Sequence, residues 1–128
     1  MGYLLDTHAF LWMVAAPERL SGKVREIVGE ENNRLHLSAA SGWKIALLKH
    51  LGRIELPDEP QRFVPEAMQQ FKVDPIPIGF TAAISAACLP FIHKDPFDRI
   101  IIAEAEKEKL TVLTKDRTFS EYGIQTLW

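Results

Sequence analysis

A single cysteine, Cys88, occurs among the 128 residues. No internal disulfide can form and no multi-cysteine metal site is possible, which fits a reducing cytoplasm. Positive charge is also scarce. Fifteen Lys and Arg against 17 Asp and Glu leave a formal net charge of −2. A nucleic-acid partner must then be met by a local basic patch or through metal ions, not by a global field. No apolar run approaches the length of a membrane span, so no membrane association is expected. The opening MGYLLDTHAF lacks the basic stretch of a signal peptide, and Asp6 stands where a myristoylation signal needs Ser or Thr. No repeat, low-complexity segment or linker breaks the chain. The length suits one domain over residues 1–128, with a single core.

The apolar pattern alternates between strands and helices. YLLD at 3–6 reads as a short strand ending in an acid, followed by a helix over 8–15. Ser21 opens a second helix, which Asn32 and Asn33 break. RLHL at 34–37 alternates as a strand does. The helix SAASGWKIALLKH at 38–50 follows, with Gly52 placed to end it. After the loop at Pro57–Pro60, a helix is predicted over 61–71. DPIPI at 74–78, with two prolines, reads as an edge strand or an extended connection. Thr81 is placed to cap a helix through Leu89, and Pro90 stops it. Asp98 opens a further helix. LTVLT at 110–114 is a buried-type strand, a turn and short helix hold Phe119, and IQTLW closes with a final strand. Strands alternating with helices imply an α/β fold: a parallel sheet covered by helices on both faces.

Most of the carboxylates, including Glu104, Glu106 and Glu108, are expected on solvated faces. Three aspartates differ. Asp6 ends the first strand, Asp116 lies just past LTVLT, and Asp98 starts a helix. In a parallel sheet, strand C-terminal ends and helix N-terminal ends share one edge, where ligands of open α/β sheets bind. Three acids far apart in sequence are thus predicted to converge. Converging carboxylates need a cation, and hard oxygen donors favour Mg²⁺ or Mn²⁺. Such an ion suits phosphodiester hydrolysis. Each acid also has a plainer reading: Asp98 as a helix cap, Asp116 as a turn residue, Asp95 as a loop stabiliser or a partner of Arg99. His93 reads as a loop hydrogen-bonder, and Trp43 and Trp128 as core or interface residues. Arg99, Lys115 and Arg117 flank the expected site and are candidates for contacting RNA phosphates.

Lys44 is out of place. At about 100° per residue, Ala40, Trp43, Ala46, Leu47, Leu48 and Leu51 form one apolar arc, and Lys44 falls inside it. With either Ser38 or Ser41 as the N-cap, this cation lies near a helix start, where the backbone favours anions.

Four blocks taken together resemble a known family: LLDTHAFLW at 4–12, LSAASGWKIA at 37–46, HKDPFDRIIIAEA at 93–105, and LTVLTKDRTFSEYGIQTLW at 110–128. The chain is similar to PIN domains, and within them to VapC-type toxins of type II toxin–antitoxin pairs. The resemblance implies a three-layer α/β/α sandwich and a metal-dependent endoribonuclease using Mg²⁺ or Mn²⁺, leaving 5′-phosphate and 3′-hydroxyl ends. Transfer or ribosomal RNA are the implied substrates. The implied partners are a VapB-like antitoxin and a second copy in a homodimer. It assigns metal-binding and catalytic roles to Asp6, Asp98 and Asp116, with Asp95 assisting and Thr7 and Thr114 supporting. It also explains why Lys44 is anomalous: the family's Ser-x-Trp-Glu-Ile reads Ser41-Gly42-Trp43-Lys44-Ile45 here. Lys44 stands where the family has a catalytic glutamate. A deliberate substitution, a natural inactive or weakly active member, and an active protein with an altered metal site all fit. The cation is expected to be drawn to Asp6, Asp98 and Asp116, to depress their pKa values and to compete with the metal. The main alternative is a non-cleaving PIN-like module that binds RNA or an antitoxin. An aspartyl-phosphate enzyme using Asp6 is disfavoured, because His8 replaces the second aspartate that haloacid-dehalogenase-type phosphatases place two residues on.

Overall fold

The computed structural model describes residues 1–128. Five parallel strands form one sheet: β1 (Gly2–Leu5), β2 (Arg34–Ser38), β3 (Val73–Ile76), β4 (Thr111–Leu113) and β5 (Thr126–Leu127), in the order β3-β2-β1-β4-β5. The proline-bearing strand β3 is at an edge, where Pro75 removes no ladder bond from a central strand. The helices are α1 (Thr7–Ala15), α2 (Gly22–Gly29), α3 (Ala39–His50), α4 (Pro60–Gln70), α5 (Phe80–Cys88) and α6 (Pro96–Glu108). A 3₁₀ segment over Arg117–Tyr122 holds the buried Phe119.

Alternation along the strands sorts the core onto two faces. Tyr3 and Leu5 of β1, Leu35 and Leu37 of β2 and Leu113 of β4 join Phe10, Met13, Val24, Ile45 and Val64 on one side. Leu4 and Val112 point the other way, onto Ile101, Ile102 and Ala105 of α6. The result is the expected three-layer α/β/α sandwich with a parallel sheet. The chain winds from β1 outward to β3, then crosses to β4 on the opposite side of β1. That reversal opens a crevice at the C-terminal ends of β1 and β4.

Local chemistry sets the ends of the elements, and several differ from the sequence expectation. Ser38, not Ser41, caps α3, accepting from Ala40 N–H, so Lys44 lies in the second turn. Gly52 ends α3 with φ +73°, a left-handed conformation that costs glycine little. The helix α5 begins at Phe80 after Gly79, and Thr81 does not cap it. Asp98 does not open α6 either. Pro96 takes the first turn, where its missing N–H costs nothing, and Asp95 is the cap, accepting from Phe97 and Asp98 N–H. This frees the Asp98 carboxylate. Glu104 is not solvated: it is 2% exposed, because positions 101, 104 and 105 share the inner face of α6. Glu106 and Glu108 are exposed as expected. On α3 the buried residues are Ala40, Ser41 and Ile45, while Trp43, Leu47 and Leu51 are exposed. The apolar arc is therefore broader than the face the core covers. Trp43 sets its ring edge-on to Phe97, and Trp128 meets Trp12. No helix is long and apolar enough to cross a membrane.

Candidate functional site

Asp6 follows directly from β1, at the level where Leu5 pairs with both Leu37 and Leu113. Its buried side chain does two jobs. One oxygen caps α1 by accepting from Ala9 N–H at 2.7 Å, and the other accepts from the Thr114 hydroxyl at 2.6 Å. Thr114 Oγ1 in turn accepts from Asp116 N–H at 3.0 Å. Thr114 thus ties the acid after β1 to the acid after β4. Thr7 does not touch an acid: its hydroxyl donates to Ser41 Oγ at 3.0 Å, joining α1 to α3.

Asp98 and Asp116 meet at His93. The Oδ2 atoms of both aspartates are 3.0 Å from the same His93 Nε2, and the three ligand-type atoms lie within 4.8 Å of one another. Asp116 also accepts from Thr118 N–H, so its turn role and its place in the cluster coexist. Asp95 is directed elsewhere. It caps α6 with one oxygen and accepts from Lys44 Nζ at 2.8 Å with the other.

The electrostatics follow from burial and neighbours. Burial raises the Asp6 pKa, against the opposing Thr114 and Ala9 hydrogen bonds. Burial and the nearby Asp95 charge push Asp98 up to about 6, with Lys44 and His93 pulling the other way. Asp116 is lowered, because hydrogen bonds from Thr118 and His93 outweigh its desolvation. Burial works against the charge on Lys44, but the bond to Asp95 and the charges of Asp98, Asp95 and Asp6 prevail, so its pKa is raised. Desolvation of Asp95 is likewise overcome by Lys44, and its pKa falls. Two expectations about Lys44 are corrected. Its hydrogen-bonded partner is Asp95, not Asp6, Asp98 or Asp116, because Asp95 at the start of α6 presents a free oxygen to the second turn of α3. Nor do all its carboxylate neighbours become stronger acids, since burial dominates at Asp6 and Asp98.

Arg99 also departs from expectation. It pairs with neither Asp95 nor solvent. It is buried and donates to the carbonyls of Ala87, Leu89, Pro90 and His93 at 2.7–3.3 Å, with Phe91 stacked against its guanidinium. A guanidinium spent on four carbonyls is not available to a phosphate. Lys115 and Arg117 are exposed and line an open cleft with Asp116 and Trp128.

The donor set suits a hard divalent cation. Asp98 of α6 and Asp116 after β4 bring ligand-type oxygens within 4.8 Å of each other beside His93, with Asp6 tied to Asp116 through Thr114. The arrangement can therefore bind a cation and, through it, a phosphate oxygen. Sequence reasoning missed two features. One is His93 as the bridge between the acids, signalled only by its place in the same short loop as Asp95 and Asp98. The other is Tyr122, whose hydroxyl grips that loop from the far end of the chain and left no local signal.

Comparison with known proteins bears on the family and the fold. The PIN domain family matches residues 3–125. Ribonuclease VapC22 of Mycobacterium tuberculosis is 31% identical over 117 residues, 89% of this chain and 86% of that protein. Among solved structures, VapBC2 of Rickettsia felis bound to a promoter DNA fragment superposes with a TM-score of 0.72 at 14% identity, covering 99% of this chain and 98% of that one. DNA-bound VapBC of Salmonella typhimurium gives 0.68 at 19% identity, covering 99% and 97%. Structural likeness at such low identity speaks for the fold, and the sequence matches speak for the family. The chain belongs to the PIN domain family, among its VapC-type members.

Proposed function

We propose that the chain is a Mg²⁺- or Mn²⁺-dependent endoribonuclease toxin of a type II toxin–antitoxin pair, acting in the cytoplasm and weakened by Lys44. The observation that carries this reading is the convergence of Asp98 and Asp116 on one point, with Asp6 linked behind them through Thr114. These aspartates would hold the ion, which would polarise a phosphoryl oxygen and supply an activated water. Thr114 keeps Asp6 and Asp116 in register. Lys115 and Arg117, exposed beside Asp116, are placed to meet the phosphates of transfer or ribosomal RNA. A VapB-like antitoxin is the expected partner, supported by the VapBC complexes among the structural neighbours. A homodimer is supported by Phe80 and Phe91, 86% and 81% exposed, which leave apolar surface for a second copy to cover.

The Lys44–Asp95 ion pair favours a second reading. A fixed cation where the family has a glutamate removes one carboxylate and offsets the charge of those left, as expected of a module that binds RNA or antitoxin without cutting. One assay separates the two: total RNA with Mg²⁺ or Mn²⁺, with and without chelator. Its samples are the parent chain, Lys44→Glu, and Lys44→Glu with Asp6→Asn. The proposal expects little cleavage, restored cleavage and lost cleavage, in that order. Full chelator-sensitive activity in the parent chain would refute impairment by Lys44. No cleavage in any sample, with RNA or antitoxin still bound, would favour the binding module.

A further inference from the structure

The loop joining α5 to α6 is fastened more firmly than a connection needs, and its fastenings converge on His93. The Tyr122 hydroxyl accepts from Ile92 and His93 N–H at 3.1 and 2.6 Å and donates to the Pro90 carbonyl at 2.7 Å. Arg99 grips the same loop from within, through the carbonyls of Leu89, Pro90 and His93. Phe119 meets the imidazole edge-to-face, with ring centroids 5.7 Å apart. Asp95 N–H points at His93 Nδ1, 3.2 Å away. A backbone N–H can only donate, so Nδ1 must offer its lone pair. The proton of the neutral ring is therefore on Nε2, the atom 3.0 Å from both Asp98 Oδ2 and Asp116 Oδ2.

We propose that His93 is a positioning residue of the metal centre: its Nε2–H donates to Asp116 Oδ2 and stands 3.0 Å from Asp98 Oδ2, and so sets the separation at which the two carboxylates receive the ion. The inference rests on the metal-centre reading above. The two acids come from different elements, one from α6 and one from the loop after β4, and no hydrogen bond joins one to the other. Asp116 Oδ2, which accepts from His93, keeps a further lone pair for a cation, and Asp98 Oδ2, 3.0 Å from the same nitrogen, keeps its own. His93 itself is not a ligand through Nε2, because that atom carries the proton. Moving the proton to Nδ1 would set it against Asp95 N–H. Donors that orient metal-binding side chains are typically worth roughly 10–100-fold in metal affinity.

The test has a metal-free arm and a metal arm. Imidazole ¹⁵N correlation spectra of the metal-free chain should show His93 with its proton on Nε2 and Nδ1 bare. Mn²⁺ affinity is then measured by calorimetry on the Lys44→Glu chain, alone and combined with His93→Phe or His93→Gln. Phe keeps an aromatic ring without the donor, and Gln keeps an N–H near the Nε2 position. His93→Phe should weaken Mn²⁺ binding by roughly 10–100-fold, and His93→Gln should recover most of it. A proton on Nδ1, unchanged or tighter Mn²⁺ binding in His93→Phe, or equal loss in both variants overturns the positioning role. Failure of the Lys44→Glu chain with His93 intact to bind Mn²⁺ overturns the metal-centre reading itself, and this inference with it.

Discussion

Replacing Lys44 with glutamate reverses a charge in a half-buried place, and the consequence can be worked from the structure. The Lys44 and Asp95 side chains are 17% and 28% exposed, and Nζ lies 2.8 Å from Oδ2. Removing the cation costs something between an exposed pair, about 1 kcal/mol, and a fully buried one, about 3–5 kcal/mol. A glutamate carboxylate settling about 4 Å from Asp95 adds repulsion of up to about 4 kcal/mol at an effective dielectric of 20. Proton uptake relieves part of this, and Asp98, already raised to about 6, is the group placed to take the proton. Against a typical stability of about 5–15 kcal/mol, the metal-free variant should fold but melt well below the parent. A divalent ion then matters twice, as ligand and as counter-charge. At about a hundred times its Kd it contributes about 2.7 kcal/mol. For a chain of this length that raises Tm by roughly 10 °C. Scanning calorimetry in chelator and in excess Mn²⁺ reads this directly. Lys44→Glu should show the large Mn²⁺ shift and the parent a small one. Equal shifts in the two proteins, or a Lys44→Glu chain as stable in chelator as the parent, would refute the claim that Lys44 neutralises the centre.

Three further outcomes are expected. Asp98→Asn should stabilise the fold near neutral pH while abolishing metal binding: the folded carboxyl titrates at about 6 against 3.8 unfolded, so its contribution holds below the unfolded value and is lost as pH rises through about 6, worth up to about 3 kcal/mol. A Tm gain at about pH 8 that vanishes at about pH 4 checks the sign. Glu104→Gln should behave similarly without touching the site. Both Glu104 oxygens are buried without a hydrogen-bond partner, and burial pushes its pKa up to about 7 from 4.5; the variant should match the parent at about pH 4 and exceed it by about 1–3 kcal/mol at about pH 8, and equal pH dependence would disprove the account. Arg99→Lys should destabilise by about 2–4 kcal/mol, because an ammonium cannot reach the four carbonyls at once and leaves acceptors unpaired; reduced RNA affinity with an unchanged Tm would instead restore Arg99 to the phosphate surface.

The sequence by itself determined the order of strands and helices, the parallel sheet, and which three aspartates lie at one edge. These follow from periodicity and from the geometry of parallel sheets, both local or nearly so. YLLD, RLHL and LTVLT alternate or run apolar over a few residues, and each acid after a strand inherits its position from that strand. The four blocks were also enough to mark Lys44 as a cation where the resemblance implies a glutamate. What only the tertiary structure decided is how the charges are shared among neighbours brought together across the fold. Asp95 and Lys44 are 51 residues apart, His93 and Asp116 are 23, and Asp6 and Thr114 are 108. No local pattern reports such pairings. The capping of α6 by Asp95 rather than Asp98 turned on one proline and on which carboxylate could reach two N–H groups. Glu104 reads as surface in a charged run, yet α6 turns it into the protein interior. Arg99 reads as a free cation until four carbonyls from the preceding helix and loop surround it. Burial depends on what packs opposite a residue, and hydrogen-bond choice depends on fractions of an ångström. Both are settled only when distant segments meet.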